Sequence, residues 1–305
     1  MGRKAAYLGL SQAQFEERVE RALAMLKDCR VCPRECRVDR SAGEVGDCRV
    51  GEKAVVASHG PHHGEEDPLR GWKGSGTIFF SGCNLHCEYC QNAAISQQVV
   101  GAELGAGELA EVMIGLQKRG CHNINLVSPT HVVPQILEAV YRASGEGLTL
   151  PLVYNTGGYD RVSTLKLLAG IVDIYMPDMK YADPALGEKY SDAEDYPLIN
   201  QRAVKEMHRQ VGDLSLDERG IAERGLLIRH LVLPDGMAGT REVLIFLAEE
   251  ISRDTYLNLM DQYRPAYRAG RYPGLQCRVS RGEFQALVNI AQGLGLRRLD
   301  GIQSP

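Results

Sequence analysis

Six short runs of apolar residues recur between positions 77 and 261, and stretches with helical periodicity separate most of them. The runs are TIFFSG, NINLVS, LPLVYNT, GIVDIYMPD, LLIRHLVLP and YLNLMD. Strands that are apolar along their whole length and alternate with helices are typical of a parallel sheet covered by helices. The six units therefore predict an α/β fold in the form of a partial (β/α)6 barrel.

The composition is that of an ordinary globular chain, with 305 residues, of which 44% are hydrophobic and 24% charged. The net charge of −4 arises from interspersed acidic and basic residues, which disfavours nucleic acid as the main partner but leaves a local basic groove open. No run of eighteen apolar residues occurs, and the start MGRKAAYLGL lacks the apolar core of a signal peptide. We expect a cytoplasmic protein without a membrane partner.

A helix is predicted near the start of the chain, where Ser11 and Gln14 form a capping-box pattern. Its apolar stripe consists of Phe15, Val19, Leu23 and Leu26. This helix leads into a cysteine-rich segment, and together they make up the predicted N-terminal part, residues 1–70. The barrel is predicted over residues 71–265, and a C-terminal helical extension over 266–305.

Nine cysteines in a cytoplasmic chain favour metal binding over a disulfide framework, because the compartment is reducing and the count is odd. They form an N-terminal group, a second group and two isolated residues: Cys29, Cys32, Cys36 and Cys48; Cys83, Cys87 and Cys90; Cys121 and Cys277. The isolated cysteines are interpreted as small apolar residues without a functional role.

The second group lies in the stretch FFSGCNLHCEYCQN, with the spacing C-x3-C-x2-C. A structural zinc site uses four protein ligands, whereas three thiolates in one loop suit a four-iron cluster with one iron open to an external ligand. Such a cluster predicts sensitivity to oxygen. The alternative is a non-enzymatic zinc protein in which His86 completes the second site.

The N-terminal group, CRVCPRECRVDRSAGEVGDC, supplies four thiols and can close a metal site completely. Structural zinc and a second four-iron cluster both fit this ligand count. A closed site favours a structural role over a catalytic one. A role in electron relay would require iron.

Polar residues follow the predicted strands, and the carboxyl ends of parallel strands meet at one edge of the sheet. In chain order they are Ser128, Pro129, Thr130 and His131; Asn155, Thr156 and Gly157; Asp178 and Lys180; Arg229 and His230; and Asp261, Gln262 and Tyr263. Asp178 and Lys180 carry opposite charges that suit a zwitterionic ligand, although a buried ion pair would also explain them.

The C-x3-C-x2-C motif, with Tyr89 before its last cysteine, resembles the cluster motif of the radical S-adenosylmethionine (SAM) superfamily. The resemblance covers roughly residues 71–265 and implies a six-stranded partial barrel. It implies a 4Fe-4S cluster whose open iron is chelated by the amino and carboxylate groups of SAM. Reductive cleavage of SAM would then give a 5'-deoxyadenosyl radical that abstracts hydrogen from a substrate.

Within the superfamily, the chain is similar to proteins related to pyruvate formate-lyase activating enzyme, particularly the PflX-like branch. SGTIFFSGCNLHCEYCQN, NINLVSPTHVVPQI, YNTGGY, DIYMPDMKYAD and LVLP carry this likeness. It implies that Met176, Asp178 and Lys180 meet the methionyl end of SAM. It also implies that Tyr89 presents its backbone to the adenine and that Arg229 reaches the cofactor.

The likeness also has local departures. Asn155 and Thr156 stand where activating enzymes have an acidic residue and a monovalent-cation site. Ser128 and Thr130 replace a Gly-Gly-Glu type segment, and their hydroxyls are expected to accept the cofactor's ammonium instead. The segment GSGTIFFSGC is short and lacks a basic residue.

The resemblance implies a protein or peptide substrate, with a glycyl residue of a glycyl radical enzyme as one candidate. A small molecule is the alternative, because the departures weaken the likeness to activating enzymes. The expected electron donor is a flavodoxin or a ferredoxin.

The stretch SHGPHHGEEDPLRGWKG, which lies between the two cysteine groups, carries His59, His62, His63, Glu65 and Glu66. Their spacing matches no metal-ligand pattern. We interpret the stretch as a solvated loop or a substrate lid.

Overall fold

A computed structural model describes residues 4–301, so the outermost parts of the predicted first and last segments lie outside the described residues. Within this range, ten strands form one mixed sheet: β1 (Ala54–His62), β2 (Ser75–Phe80), β3 (Ala102–Leu104), β4 (Ile124–Val127), β5 (Leu152–Thr156), β6 (Ile174–Pro177), β7 (Ser215–Leu216), β8 (Ala222–Leu231), β9 (Tyr256–Met260) and β10 (Arg298–Leu299). Their order is β10-β9-β8-β6-β5-β4-β2-β1-β3, and β7 pairs with β8.

Helices surround this sheet and connect its strands. The α-helices are α1 (Gln12–Ala24), α2 (Asp67–Arg70), α3 (Ala93–Ser96), α4 (Ala106–Lys118), α5 (Val133–Gly145), α6 (Val162–Leu167), α7 (Pro184–Ser191), α8 (Tyr196–Val211), α9 (Thr240–Phe246) and α10 (Arg281–Gly293). Short 3-10 turns occupy Ala6–Gly9, Arg40–Ala42, Thr130–Val132, Pro234–Gly236, Ala269–Arg271 and Pro273–Leu275, and a π-turn, Leu247–Ile251, continues α9.

All six predicted strands are present, as β2, β4, β5, β6, β8 and β9. They pair in parallel and in chain order, so their carboxyl ends share one edge of the sheet. The register places Val127 beside Asn155, and Asn155 beside Met176. The predicted α/β fold with a large, mostly parallel sheet is confirmed.

Four of the strands in the described part of the chain were not predicted, namely β1, β3, β7 and β10, and the longest of them is β1. Residues Ser58–His62, interpreted above as part of a solvated loop, belong to β1, which runs antiparallel to β2 and pairs Pro61 with Gly76. On its other side β1 pairs with β3 only at Ala54–Val56. The interpretation as a loop was wrong here because glycine, proline and histidine mask the strand, and an edge position tolerates proline.

The predicted N-terminal helix is confirmed as α1. Ser11 caps it, and the capping box with Gln14 is formed in both directions. The ring of Phe15 meets the edge of Tyr141 on α5 at a centroid distance of 5.4 Å. This contact fixes the helix that leads into the first cysteine group.

Apolar residues fill the interior in separate layers. A large core lies between the sheet and its helices. A smaller cluster contains Val153, Ile174 and Leu227 from neighbouring parallel strands, and Leu69 of α2 packs into it. A third cluster, rich in tyrosine, surrounds the second cysteine group. Within residues 4–301, no helix combines the length and apolar character that crossing a membrane requires.

Candidate cluster and cofactor site

A cavity of about 270 Å³ opens at the carboxyl ends of the parallel strands. Its lining includes the three cysteines of the second group and all but one of the residues predicted for the cofactor: Cys83, Cys87, Cys90, Tyr89, Ser128, Thr130, Asn155, Thr156, Asp178, Lys180 and Arg229. The exception is Met176, which is fully buried in the apolar cluster that contains Val153 and Ile174. The other predicted residues come from the loop after β2 and from the ends of four further strands, β4, β5, β6 and β8. The structure therefore brings them together, while their individual roles stay predictions.

Two cysteines of the loop accept hydrogen bonds at sulfur. The hydroxyl of Ser191 donates to Cys87 Sγ at 3.0 Å, and the amide of Leu85 donates to Cys83 Sγ at 3.4 Å. Hydrogen bonds to sulfur are characteristic of iron-sulfur sites, where they tune the cluster potential. The surroundings of these thiols thus fit a cluster.

Burial raises the pKa of Cys83 to about 12, and it also raises the pKa of Cys87, against the opposing influence of Lys180. The thiols stay protonated until a metal centre displaces their protons. Across residues 4–301, no three His, Cys, Asp or Glu side chains stand in the arrangement of a preformed single-ion site. A four-iron cluster binds one cysteine per iron, so its thiolates stand further apart than those around one ion.

Three charged residues form a network on the wall of the cavity. Asp178 accepts from Lys180 Nζ at 2.6 Å and from Arg229 Nε at 3.0 Å. Arg229 also donates through Nη2 to the side-chain oxygen of Asn155 at 2.9 Å. Burial alone would raise the pKa of Asp178, but Arg229 and Lys180 hold it below the usual value. The network presents one carboxylate and two cations to a ligand.

A buried carboxylate that the sequence analysis missed supports two of the predicted cofactor residues. Asp160 accepts hydrogen bonds from the hydroxyls of Thr130 at 2.8 Å, Thr156 at 2.7 Å and Tyr154 at 2.8 Å. Burial raises the pKa of Asp160, while these hydroxyls act in the opposite direction. The only sequence signal was its position four residues after Thr156.

The loops after β5 and β6 touch at Gly158, which has a φ of +78°. A Cβ atom there would lie 2.1 Å from the carbonyl oxygen of Asp178, so only glycine fits. Tyr196 joins the same loops, because its hydroxyl lies 2.9 Å from the carbonyl oxygen of Gly157 and accepts from the amide of Lys180 at 3.0 Å. The side chains that line the cavity at these two strand ends therefore stand on a rigid rim.

Ser128 also adopts an uncommon backbone conformation, with a φ of +56°. Its amide donates to the carbonyl oxygen of Asn155 at 2.9 Å, which fixes the turn that ends β4. Non-glycine residues in this region are uncommon, and they occur at sites where surrounding contacts hold them. Ser128 is thus held at the cavity wall.

The comparisons with known proteins bear on this site. Residues 70–174 match the family model of the 4Fe-4S single cluster domain. The chain is 30% identical over 289 residues to the uncharacterized protein MJ0674 of Methanocaldococcus jannaschii, across 92% of this chain and 78% of that protein. This chain belongs to the MJ0674 family.

A solved structure, that of a radical SAM methyltransferase from Sphaerobacter thermophilus, is 16% identical and has a TM-score of 0.49, with 97% of this chain and 94% of that chain covered. The match to the 4Fe-4S domain supports the predicted cluster at the loop of Cys83, Cys87 and Cys90. The match to the 4Fe-4S domain and the C-x3-C-x2-C motif together support placing this member of the MJ0674 family in the radical SAM superfamily.

The N-terminal cysteines also lie near one another. Burial raises the pKa of Cys32, and the thiols of Cys48, Cys36 and Cys29 add to that rise. The amide of Asp47 donates to Cys36 Sγ at 3.3 Å. The proximity of Cys32 to the other three thiols fits a metal centre, although these thiols do not stand in the preformed arrangement of a single-ion site among the described residues.

The two cysteine groups are neighbours in space. A Cβ atom at Gly82, the residue before Cys83, would lie 2.5 Å from the carbonyl oxygen of Cys48. A second link is made by Arg49, whose guanidinium donates to the carbonyl oxygen of Gln97 at 2.7 Å. The sequence separation of the groups gave no sign of this contact.

His86 faces away from the cavity. Its Nε2 lies 2.9 Å from Asp47 Oδ2 and its Nδ1 lies 3.1 Å from Gln97 Oε1. The hydrogen bond to Asp47 raises the pKa of His86. Because both ring nitrogens are engaged, the geometry does not favour His86 as the fourth ligand of a zinc site.

The predicted loop around Glu65 and Glu66 also differs from expectation, because Glu66 is buried and accepts from Asn258 Nδ2 at 2.9 Å. Burial raises the pKa of Glu65 to about 7, while Arg229 acts to lower it. These glutamates extend the charged network beyond Arg229. The interpretation as a solvated stretch was wrong at this point.

Proposed function

We propose that this protein is a radical SAM enzyme that holds a four-iron cluster on Cys83, Cys87 and Cys90 and binds SAM in the cavity beside it. One observation carries the proposal: these cysteines and the charged pair of Asp178 and Lys180 line the same cavity. A purely structural zinc protein would leave that pair, and the polar rim around it, without a use. In this proposal the sheet forms a partial barrel around the cavity.

The cluster, when bound, supplies the electron that breaks the sulfonium bond of SAM and so generates a hydrogen-abstracting 5'-deoxyadenosyl radical. Lys180 offers a compact cation to the cofactor's carboxylate, and Asp178 offers an anion to its ammonium. Ser128 and Thr130 supply hydroxyl acceptors on the neighbouring rim. Tyr89, buried beside the last cysteine, fixes the backbone that would meet the adenine.

Arg229 keeps Asp178 ionised and oriented, because it contributes a charge-assisted hydrogen bond at 3.0 Å. Its second bond, to Asn155, spans from β8 to β5 and so fixes both strand ends. The proposal assigns the two residues to the cofactor site, with no monovalent cation at Asn155.

We further propose a protein or peptide substrate, as in activating enzymes of glycyl radical enzymes. The support is the PflX-like sequence pattern of the four strand ends described above. A small-molecule substrate is the second candidate, favoured by the absence of a basic residue in GSGTIFFSGC.

The four N-terminal cysteines are proposed to hold a second metal centre, either zinc or iron-sulfur. The support is the proximity of Cys32 to the other three thiols and the amide of Asp47 that donates to Cys36. Since four protein ligands close such a centre, its expected role is to stabilise the N-terminal segment or to relay electrons, rather than to bind substrate.

The test is anaerobic reconstitution with iron and sulfide, followed by dithionite and SAM, with 5'-deoxyadenosine as the measured product. The proposal expects product from the natural protein and from Cys277→Ala, whose cysteine is exposed and isolated. Cys87→Ala should form none. A protein that binds only zinc and forms no 5'-deoxyadenosine would refute the proposal.

A further inference from the structure

An arginine-rich segment, residues 262–282, lies outside the site described above. It contains five arginines and neither aspartate nor glutamate, although the whole chain has a net charge of −4. The five are Arg264, Arg268, Arg271, Arg278 and Arg281, and all are exposed. Such a concentration of positive charge raises the local concentration of acidic partners.

Aromatic and backbone contacts anchor this segment on the second cysteine group. The amide of Arg268 donates to the carbonyl oxygen of Glu88 at 2.9 Å, between Cys87 and Cys90 in the chain. The ring of Tyr263 lies 5.9 Å from that of Tyr89, measured between centroids. The segment therefore has a fixed place against the cluster loop, with its guanidinium groups turned outward.

Most of this charge is uncompensated. Arg268 lies 3.5 Å from a carboxylate oxygen of Glu88, whereas Arg264, Arg271 and Arg278 form no ion pair with any residue in the range 4–301. Exposed cations without partners contribute little to folding stability, so they can be replaced without unfolding the protein. Their grouping is better explained by a partner than by the fold.

A surface pocket of about 710 Å³ marks where that partner would approach the cluster. Its lining combines Arg49 next to Cys48, His86 next to Cys87, and Tyr267 and Arg268 of the arginine-rich segment. None of these residues lines the cofactor cavity, although His86 belongs to the same loop. The loop thus has an inner side for the cofactor and an outer side open to a macromolecule.

We propose that the arginine-rich segment and this pocket form the docking surface for a small acidic one-electron carrier protein, an inference that rests on the proposed function. One electron leaves the reduced carrier and enters the oxidised cluster, and no bond or proton moves. A carrier needs only to approach the outer side of the loop. A substrate, in contrast, must reach the cavity, which makes the outer pocket the wrong place for it.

The test compares two triple variants of the reconstituted protein. One replaces Arg264, Arg271 and Arg278 by glutamine. The matched control makes the same change at Arg202, Arg241 and Arg253, which are also exposed but lie outside the segment. The first readout is the Kd of oxidised flavodoxin and of oxidised ferredoxin, measured by titration calorimetry at low salt.

If this surface docks the carrier, at least one of the two carriers should bind the natural protein. The Kd of that carrier should rise about tenfold or more in the segment variant but not in the control. The Kd of the natural protein should also rise with salt, because screening weakens charge attraction. Equal affinity in all three proteins, or no binding of either carrier, would overturn the inference. Binding of a single-stranded RNA that is lost in the segment variant, without carrier binding, would assign the surface to nucleic acid instead.

The second readout follows cluster reduction by electron paramagnetic resonance. Dithionite needs no docking surface, so it should reduce both variants as fast as the natural protein, whereas the reduced carrier should reduce the segment variant about tenfold more slowly. Equal rates with the carrier would contradict the inference. If dithionite and SAM give no 5'-deoxyadenosine with the natural protein, the proposed function is refuted instead. The Kd comparison distinguishes that result from a failure of the docking inference, because carrier binding is measured without any turnover of SAM.

Discussion

Arg34 Nε donates a hydrogen bond of 2.9 Å to the carbonyl oxygen of Asn84. Arg34 lies between Cys32 and Cys36, and Asn84 follows Cys83, so this bond joins the two cysteine groups directly. The same guanidinium lies 3.2 Å from Asp47 Oδ2. The N-terminal segment therefore forms part of the wall that holds the cluster loop.

Replacing Arg34 by alanine should lower the free energy of unfolding by about 1.5–3 kcal/mol, because a charge-assisted hydrogen bond between segments is lost. The cluster's electron paramagnetic resonance signal should also broaden, as Asn84 is no longer fixed. Arg37→Gln, in an exposed side chain of the same segment, serves as the control. An unchanged signal and melting temperature in Arg34→Ala would show that the link is incidental.

Asp178→Asn should weaken SAM binding by at least tenfold, or about 1.4 kcal/mol, because Lys180 and Arg229 lose the anion that orients them. Calorimetric titration of SAM into the reconstituted, unreduced protein measures this. Asp254→Asn removes a surface ion pair with Arg297 and should leave the affinity unchanged. Equal affinities for both variants would place SAM elsewhere.

Asp160→Ala should cost about 2–4 kcal/mol of stability, since the buried hydroxyls of Thr130, Thr156 and Tyr154 lose their acceptor. Asp160 acts as a positioning residue, so SAM affinity should fall as well. Denaturant unfolding and calorimetry give the two values. Asp160→Asn keeps one acceptor oxygen and should recover part of both losses. Unaltered SAM affinity in the alanine variant would reduce Asp160 to a purely structural role.

His230 gives the protein a dependence of stability on pH. Its Nδ1 lies 2.5 Å from the carbonyl oxygen of Met179 and its Nε2 lies 2.9 Å from Thr240 Oγ1, and burial lowers the pKa of His230 to about 4. The unfolded chain binds this proton more readily than the folded one between pH 6.5 and 4. Stability should therefore fall on acidification across that window, by up to about 3 kcal/mol from this group.

Urea unfolding at several pH values between 4 and 7 tests this dependence. His230→Gln should flatten the curve, whereas His59→Gln, in an exposed side chain, should leave it unchanged. If the curve of His230→Gln runs parallel to that of the natural protein, the acid sensitivity has another origin.

Cys48→Ser should remove the metal of the N-terminal group and leave the iron at the second group, because the two sets of ligands are separate. Cys87→Ala should have the opposite effect. Iron and zinc content by plasma mass spectrometry, compared with the natural protein, identifies the metal at each group. A Cys48→Ser protein with its full metal content would remove the second centre from the account.

Much of the candidate site was predictable because of one topological rule. Parallel strands carry their carboxyl ends to one edge, so Ser128, Asn155, Asp178 and Arg229, far apart in the sequence, had to meet. Their ion pairs and hydrogen bonds depend on rotamers and on loop contacts, which no periodicity encodes. Asp160 was missed for that reason, since its partners come from strand β5 and from the turn after β4, which the chain brings together only on folding.

Other features depend on long-range contacts that the sequence does not mark. Pro61 and the glycines around it conceal an edge strand. A glutamate is usually a surface residue, yet Glu66, which precedes α2, is buried and accepts a hydrogen bond from Asn258. The contact between Cys48 and Gly82 arises only when the N-terminal segment folds over the loop.

The central claim is that an open iron at the second cysteine group binds SAM. The most direct measurement is the electron paramagnetic resonance spectrum of the dithionite-reduced protein before and after SAM is added. We predict a reduced four-iron signal that changes shape on addition of SAM and is missing from Cys87→Ala. A signal from this group that SAM leaves unchanged would contradict the account.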